Sequence, residues 1–518
     1  MAKNEKVDVC IVGSGAAGGS LSLALAEAGF KVVVLEVGPW WNPFKDFIHA
    51  PGVMAQKFNW DMPVVQEGDR VGRDPHSSWG VGGGTNHWTA AVGRLEEEDF
   101  KQGTLEQQGE DWPFTYQDLA PWYEKAELQL GVSGSNLGVV SGYVKGTFAN
   151  PPHKLFYANQ VIKRGFDKLG IPAYAGSVAI NSRIFDGRPA CNYCGGCNMG
   201  CPIGAKANTA LTHFPKAMKL GVEVRPLSYV TEITVDERGR AKSAIYLDSN
   251  GERQEQEANI VVVACWTIES PRLLLNSVSS RFPNGLANSS GLVGKYLACI
   301  LGGRAAGTMD EIVDGFRGFS LNNLESRHFY KTSTKNNYWG GFTLESSNSG
   351  NPLGYASSKG PLWGKALLDH MKTFRRYAAM SAWGRATISE SNRVTTDDKV
   401  KDKFGIPAAK IIYHFSDNDR KQCAAMRERG GEIFKAAGAT DIVGDDSPRG
   451  SYWLGGIRMG SDQARSVTNG YGQCHDVKNL FIAGPMLIPA AIGIQPTLTV
   501  VAMSNRVADY IGRNRSEF

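Results

Sequence analysis

The spacing of apolar and polar residues at the start of the chain predicts a strand, a helix and a second strand. Residues 7–12 (VDVCIV) form a predominantly apolar run typical of a buried strand, and Lys31–Leu35 form another. Small and apolar residues continue between the two runs as far as Ala28, which favours a closely packed helix. This order is the beginning of a parallel α/β sheet.

The same sheet is expected to receive further strands much later in the chain. Residues 222–247 alternate like paired strands, and residues 259–265 form a continuous apolar strand leading into a helix near Pro271. A strand at 479–483 and a terminal helix at 497–511 follow a middle region rich in Gly, Ser, Asn and aromatic residues. We therefore predict two discontinuous domains: a Rossmann-like nucleotide-binding domain of residues 1–40, 201–310 and 455–518, and a mixed α+β domain of residues 41–200 and 311–454.

One stretch near the C-terminus could be mistaken for a membrane span. Phe481–Asn505 contains no charged residue, but Pro485, Pro489 and Pro496 interrupt it. Proline removes a helical hydrogen bond and clashes with the preceding turn, so this stretch makes a poor spanning helix. We predict a buried loop leading into a core helix, and no transmembrane segment.

The overall composition indicates a globular protein that does not bind nucleic acid. The 518 residues are 42% hydrophobic and 21% charged, and the net charge of +5 is not gathered into any dense Lys/Arg block. A chain of this length is expected to form more than one domain. The short charged lead before residue 7 has no apolar signal region, so this N-terminus by itself predicts a cytoplasmic location.

A glycine turn follows the first strand. In the order strand, turn, helix and strand, Gly13 makes the tight turn, Gly15 admits a pyrophosphate and Gly18 allows close packing of the helix on the sheet. The helix N-terminus supplies amide donors to phosphate, and Glu36 ends the second strand where it can accept hydrogen bonds from ribose hydroxyls. The pattern predicts a dinucleotide site.

Four cysteines lie within the run CNYCGGCNMGCP: Cys191, Cys194, Cys197 and Cys201. The spacing C-x2-C-x2-C-x3-C-P is that of a bacterial ferredoxin, in which the thiolates hold an iron–sulfur cluster. A four-cysteine zinc site usually has two knuckles separated by a longer loop, and disulfides are the other alternative. The remaining five cysteines are scattered and mostly lie in apolar runs, as buried thiols do. We favour the cluster.

Several motifs in order resemble the glucose-methanol-choline (GMC) oxidoreductases, FAD enzymes that oxidise alcohols and sugars. The matching segments run along nearly the whole chain: VGSGAAGG with Glu36, VGGGTNHWTAAVGR, DWPFTYQDLAPWYEKAE, VVVACWTIESPRLLLNS, SSGLVGKYL, GGIRMG, HDVKNLFIAGP and QPTLTVVAM. The resemblance implies the GMC fold, with an FAD-binding domain and a substrate domain that carries the cysteine-bearing insertion.

The resemblance also assigns residues to the flavin. Gly83, Asn86, Gly484 and Pro496 are implied to lie against it, and His87 matches the histidine through which pyranose-oxidising members attach flavin covalently. A covalent bond would tether the cofactor and tune its reduction potential. The alternative is a histidine that only hydrogen-bonds or stacks against non-covalent FAD.

The catalytic pair departs from the family pattern. Where the family usually has a histidine before the GGIRMG segment and an asparagine or histidine before the final helix, this chain has Tyr452 and Gln495. A neutral phenol is a poor base at neutral pH, and an amide cannot accept the proton. Tyr452 therefore acts in an altered geometry with Gln495 holding the substrate hydroxyl, or another residue is the base, or alcohol oxidation has been lost.

The cysteine run resembles the sugar and polyol dehydrogenase branch of the family. Members of that branch can carry a 4Fe–4S or 3Fe–4S cluster, and many work with a small accessory subunit and an electron acceptor of cytochrome c type. The resemblance implies a dehydrogenase for a sugar, glycoside or polyol, with hydride passing to flavin N5 and electrons leaving through the cluster. It also implies export to the periplasm with a partner subunit. A flavoprotein of another reaction class and a non-catalytic FAD-binding subunit are the alternatives.

Overall fold

A computed structural model describes residues 5–48, 62–71, 79–136, 148–445 and 447–518 of the protein. Its strands are β1 (Val7–Val12), β2 (Val32–Leu35), β3 (Val64–Gly68), β4 (Glu223–Arg225), β5 (Tyr229–Val235), β6 (Ala241–Leu247), β7 (Arg253–Val263), β8 (Ala298–Thr308), β9 (Leu321–Ser326), β10 (Phe342–Ser347), β11 (Tyr377–Arg385), β12 (Arg393–Lys401), β13 (Pro407–Tyr413), β14 (Thr440–Gly444), β15 (Arg449–Leu454) and β16 (Leu480–Ile482). The helices are α1 (Ala16–Glu27), α2 (Pro43–Asp46), α3 (Gln102–Glu106), α4 (Tyr116–Leu130), α5 (Tyr157–Lys168), α6 (Thr209–Thr212), α7 (Phe214–Lys219), α8 (Glu269–Asn276), α9 (Pro352–Ala356), α10 (Gly364–Met371), α11 (Asp417–Ala436) and α12 (Thr497–Arg513).

The first sheet confirms the predicted Rossmann-like core. Its parallel strands lie in the order β4-β2-β1-β7-β16, the arrangement of a nucleotide-binding sheet. The N-terminal half of β7 instead pairs antiparallel with β6, which pairs with β5. One long strand therefore belongs to both the parallel sheet and an antiparallel meander.

The second sheet forms the floor of the other domain. Its order is β14-β8-β11-β10-β9, with β15 also paired to β8, and α11 packs against it. The pairing of β8 corrects the predicted division of the chain, because residues 298–308 belong to this sheet and not to the nucleotide-binding domain that was expected to extend to residue 310. A third sheet joins β12, β13 and β3.

The terminal helix α12 lies in the core. It packs between α1 and α4, and most of its apolar side chains are buried. The uncharged stretch before it contains a short 3₁₀ turn at Pro485–Leu487 and buried loop residues, which confirms the predicted loop and core helix. Among the residues that the structure describes, no helix combines the length and hydropathy that a bilayer crossing requires.

Candidate active site

A cavity of about 580 Å³ opens where the parallel strands end, between the turn after β1 and the start of α12. Open α/β sheets bind ligands at this edge. Of the predicted positions, seven cofactor positions and one catalytic position line the cavity: Gly13, Gly15, Glu36, Gly83, His87, Gly484, Pro496 and Tyr452. Gly18, Asn86 and Gln495 lie outside its wall.

The turn between β1 and α1 is shaped by its glycines. Gly13 has a φ of +100°, and a side chain there would lie 2.6 Å from the carbonyl oxygen of Ala264. A Cβ on Gly15 would meet nothing within 4 Å, because this residue borders the cavity. A Cβ on Gly18 would overlap the carbonyl group of Gly13. The N-terminus of α1 therefore approaches the cavity with its amide groups uncovered.

Glu36 is buried at the end of β2 and bonds to the protein itself. Its Oε2 accepts hydrogen bonds from the backbone amide of Ser14 at 3.1 Å and from the Ser14 hydroxyl at 2.6 Å. Its Oε1 accepts from the amides of Gly38 at 2.9 Å and Gly80 at 3.1 Å. Burial raises the pKa of this carboxyl group, and the four hydrogen bonds oppose that rise. The predicted ribose contact stays a prediction.

The segment 83–89, which we call the flavin loop, begins with a 3₁₀ turn at Gly83–Asn86. The backbone of Gly83 approaches that of Gly15, and His87 lines the cavity. The side chain of Asn86 instead accepts a 2.5 Å hydrogen bond from Asn208 and donates one of 3.1 Å to the carbonyl oxygen of Val81. Asn86 thus fixes the shape of the loop, and both alternatives for His87, a covalent bond to flavin and a non-covalent contact with it, stay predictions.

Tyr452 enters the site from a β-bulge. Ser451 pairs with Ile300 and Leu454 with Ala298, so two residues of β15 oppose one residue of β8. Tyr452 has a φ of +52°, a left-handed conformation that is uncommon for a residue with a large side chain. A bulge redirects side chains, and here it places the phenol ring against Trp383, with ring centroids 5.5 Å apart. Burial, with the nearby charge of Glu345, raises the pKa of Tyr452 well above its usual value.

Gln495 is held by a carboxylate that the sequence did not identify. Its Nε2 donates a 2.9 Å hydrogen bond to Oε2 of Glu345, and Nε1 of Trp383 donates another of 3.0 Å to the same oxygen. Gln495 and Glu345 are each 2% exposed. Oε1 of Gln495 is buried and accepts no hydrogen bond from the described residues. An unpaired acceptor therefore belongs to the residue just before Pro496, which lines the cavity.

Glu345 has an unusual electrostatic environment. It lies on β10 directly opposite Glu325 of β9, and Glu325 is ion-paired with Arg327 at 2.6 Å. Burial raises the pKa of Glu345 to about 8, and the charge of Glu325 adds to the rise. Hydrogen bonds from Gln495 and Trp383 and the charge of Arg327 oppose it. This carboxyl group can change its protonation state near neutral pH.

The four predicted cluster ligands lie in one loop beside the flavin loop. Cys197 is buried, Cys194 is exposed, and Cys191 and Cys201 are half-buried free thiols. Burial raises the pKa of Cys191 to about 12, and the other three cysteines add to the rise, so all four are electrostatic neighbours. Within the described ranges, however, no three Cys, His, Asp or Glu side chains converge as ligands of one metal ion. The cluster stays a prediction.

Lys206 connects the cysteine loop to the flavin loop. It is 1% exposed, and its Nζ donates hydrogen bonds to the backbone carbonyl oxygens of Asn86 at 3.1 Å, Trp88 at 2.8 Å and Cys197 at 2.6 Å. Its backbone amide lies 3.5 Å from the sulfur of Cys201. No described carboxylate forms an ion pair with it. A buried cation thus adjoins the cysteines.

Comparisons with known proteins identify the family. Residues 76–298 and 388–504 match the N-terminal and C-terminal profiles of GMC oxidoreductase. A 2-methyl-1,2-propanediol dehydrogenase of Mycolicibacterium austroafricanum is 32% identical over 544 residues, which cover 99% of this chain and 96% of the relative. The chain belongs to the GMC oxidoreductase family. It is therefore an FAD-dependent oxidoreductase that acts on the CH–OH groups of alcohol- or sugar-type substrates.

Two further GMC proteins extend the comparison. The fructose dehydrogenase large subunit of Gluconobacter japonicus is 29% identical, and the alignment covers 97% of each chain. A solved structure of an Aspergillus oryzae formate oxidase variant has the same fold, with a TM-score of 0.68 over 100% of both chains at 14% identity. The GMC fold predicted from the sequence is confirmed.

The cavity of this GMC oxidoreductase fits FAD on its own geometry. Gly15 and Gly84 both border open space, where no atom would meet an added Cβ within 4 Å. The uncovered amides of α1 suit a pyrophosphate, and the mainly apolar wall beyond the flavin loop suits a planar ring system. A larger side chain at either glycine would enter this space.

Two residues of the site had no usable signal in the sequence. Glu345 lies in the strand FTLESS, where an acidic residue reads as an ordinary solvent-facing position. Lys206 ends the segment CPIGAK, and a single lysine after small residues resembles a surface residue. Both are buried because another part of the chain covers them, which local periodicity does not report.

Proposed function

We propose that this GMC oxidoreductase is an FAD-dependent dehydrogenase that oxidises a hydroxyl group of a sugar, glycoside or polyol and passes the electrons to an iron–sulfur cluster on Cys191, Cys194, Cys197 and Cys201. The observation that carries the proposal is the position of Lys206. One buried ammonium group bonds to both the flavin loop and the cysteine loop, so the two predicted redox sites share an interface.

The substrate class is supported by the relatives and by the polar groups at the site. The relatives act, by their names, on 2-methyl-1,2-propanediol and fructose, and both compounds carry several hydroxyl groups. The phenol of Tyr452 can donate a hydrogen bond, and the free Oε1 of Gln495 can accept one. A hydroxyl group between them satisfies both.

The residues that would hold FAD are those of the cavity wall. The amides at the start of α1, after Gly15, would hold the pyrophosphate, and the flavin loop, Gly484 and Pro496 would line the space for the ring system. When bound, FAD accepts a hydride from the carbon that bears the hydroxyl group. Tyr452 and Gln495 would orient that hydroxyl group, and the half-buried ring of Trp383 packs beside Tyr452.

The cysteine loop supplies the proposed electron exit. A buried ammonium group is costly unless negative charge lies nearby, and cluster thiolates would provide that charge next to Lys206. The amide of Tyr193 also donates to the sulfur of Cys191 at 3.3 Å, a contact of the kind that tunes cluster potentials. A one-electron relay is most useful when another redox protein or a dye accepts the electrons, which favours a dehydrogenase over an oxidase.

The proposal includes partners and a location. We infer a small accessory subunit and an electron acceptor of cytochrome c type, because Cys194 is exposed at the protein surface where an acceptor can approach. With such a subunit the chain would be exported to the periplasm. Co-expression with neighbouring genes followed by cell fractionation tests this part separately.

The test is an anaerobic visible spectrum of the purified protein, together with its iron and flavin content. We expect bound flavin, iron and sulfide, and bleaching of the flavin band by 2-methyl-1,2-propanediol, fructose or another polyol in a panel. A flavin that dithionite reduces but no hydroxyl compound reduces would reject the dehydrogenase assignment and favour another reaction class. Protein with flavin but without iron would reject the electron exit alone.

A further inference from the structure

We infer that Glu345 accepts the proton of the substrate hydroxyl group and, through its hydrogen bond, positions Gln495. The inference rests on the proposed oxidation of a hydroxyl group at Tyr452 and Gln495. It answers the question raised by the sequence, which lacks the histidine that usually serves as the base at this site.

The first argument is geometric. Gln495, Trp383 and Tyr452 come from three different segments, and Glu345 contacts the first two through a single oxygen, Oε2. Among the described residues, both hydrogen bonds to Glu345 fall on Oε2, and no described donor bonds to Oε1. Because Nε2 of Gln495 is held by Glu345, Oε1 of Gln495 is turned away from the carboxylate and is left without a donor.

The second argument is chemical and proceeds by elimination. The phenol of Tyr452 is buried, and its pKa is raised, so it stays protonated at neutral pH and serves as a donor. The amide of Gln495 cannot take up a proton. Glu345 is a carboxyl group hydrogen-bonded to Gln495 and near enough to Tyr452 for its charge to raise the pKa of the phenol, and a carboxylate is a competent general base.

The third argument concerns the charges that face Glu345. Glu325 faces it from β9, and Arg327, just after β9, forms an ion pair with Glu325. Tyr452 of β15 and Tyr174 also interact with its charge. Burial and the negative charge of Glu325 favour the protonated form of Glu345, whereas Arg327 favours the ionised form. These opposing effects hold the pKa of Glu345 in a range in which the carboxyl group can both accept and release a proton.

The reaction balances without a further reactant. The hydroxyl proton would move to Oε1 of Glu345, and bound FAD would take up the C–H hydrogen with its two electrons as hydride. The carbon–oxygen bond becomes a carbonyl group. Glu345 then releases its proton to solvent before the next turnover, and the electrons leave through the acceptor described above.

The experiment compares Glu345→Gln and Glu345→Asp with the wild-type holoenzyme. The amide of Glu345→Gln still accepts hydrogen bonds from Gln495 and Trp383, so a purely orienting role survives it, whereas a base does not. We expect the rate of flavin reduction by 2-methyl-1,2-propanediol or fructose to fall by roughly 10²–10⁴-fold. Glu345→Asp should retain part of the rate and its pH dependence. The exposed Glu98→Gln serves as the matched control.

A second readout does not depend on turnover. Infrared difference spectra recorded across the pH range should show a carbonyl stretch of a buried protonated carboxyl group that disappears as pH rises and that is absent from Glu345→Gln, which distinguishes it from the bands of other buried carboxyl groups such as Glu36. If the wild type shows this band but no hydroxyl compound reduces its flavin, the proposed function is wrong. The assignment of a titrating carboxyl group to Glu345 is then still supported. If Glu345→Gln reduces its flavin at the wild-type rate with the wild-type pH profile, the inference is wrong.

Discussion

The ammonium group of Lys206 donates a 2.6 Å hydrogen bond to the carbonyl oxygen of Cys197 while the residue is 1% exposed. The same group bonds to the carbonyl oxygen of Trp88 in the flavin loop. Two loops far apart in sequence are thus joined by one cation, and a disturbance of one loop is expected to reach the other.

Replacement of Lys206 by methionine should weaken both loops. Three buried carbonyl oxygens would lose their donor, and each unsatisfied buried group costs about 1–3 kcal/mol. We expect a lower melting temperature and a lower iron-to-protein ratio. Any remaining cluster should have a more negative reduction potential, because a nearby positive charge that favours the reduced form has been removed. Lys216→Met, at an exposed ion pair with Asp186, should leave the potential unchanged.

Replacement of Cys197 by serine should remove most of the iron. A serine hydroxyl is a poor substitute for a thiolate ligand, and Cys197 is the buried member of the run. Iron analysis and the electron paramagnetic resonance of reduced protein check this expectation. Cys423→Ser, in a buried cysteine of α11 outside the run, should retain iron and signal. Equal iron content in the two variants would contradict the cluster assignment.

Replacement of Gly18 by alanine should abolish FAD binding. The added Cβ would overlap the carbonyl group of Gly13 and displace the turn that faces the pyrophosphate. Flavin content after purification and the melting temperature report the effect. Gly431→Ala is the matched control, because a Cβ there meets only a side-chain atom of Ile442 at 3.8 Å. That change should stabilise α11 by about 1 kcal/mol and leave FAD bound.

The stability of Glu345→Gln should differ from that of the wild type at alkaline pH. The folded-state pKa of Glu345 is raised from 4.5 to about 8, so the folded protein binds more protons than the unfolded chain between these values. The contribution of Glu345 to the free energy of unfolding is therefore fully present below pH 4.5 and is lost as pH rises through about 8. The slope is about 1.4 kcal/mol per pH unit at most. Thermal unfolding at pH 6 and pH 9 should show a smaller loss for Glu345→Gln; an equal loss would contradict the raised pKa.

The Tyr452→Phe variant tests whether the phenol of Tyr452 acts as a hydrogen-bond donor or as the general base. If the phenol only donates a hydrogen bond, its removal should slow flavin reduction by about tenfold, as expected for one neutral hydrogen bond. The pH profile should keep its position, because the titrating group is Glu345. Stopped-flow reduction across the pH range provides the measurement. A profile that loses its pH dependence in Tyr452→Phe would assign the titration to the tyrosine instead.

The sequence was sufficient for the parts of the fold that depend on local pattern. The strand Val7–Val12 and the glycine turn after it follow from apolar periodicity and glycine geometry, and both were predicted at the observed positions. The terminal helix was predicted to start at Thr497, where it does start, although it extends to Arg513. In these segments each residue type agrees with the element that contains it.

Features that depend on pairing between distant segments could not be predicted from the local pattern of apolar and polar residues. The strand Ala298–Thr308 was expected in the first domain, but it pairs with β11 and β15, which come much later in the chain. The role of Glu345 was missed for the same reason, since its partner Gln495 is 150 residues away. The hydrogen bond that Asn208 donates to Asn86 also joins distant segments, and the flavin contact of Asn86 stays a prediction.

The β-bulge at Tyr452 sets the direction in which the side chain at this position points, whichever residue occupies it. Because the extra residue between Ser451 and Leu454 turns position 452 toward the cavity, any residue placed there would face the same point. A tyrosine thus occupies the bulge position at which the resemblance places a histidine. If proton transfer passes to Glu345, as inferred above, it passes to β10, which β8 and β11 separate from β15 in the same sheet. The backbone then tolerates a relocation of acid–base chemistry that a comparison of motifs alone would read as a loss of function.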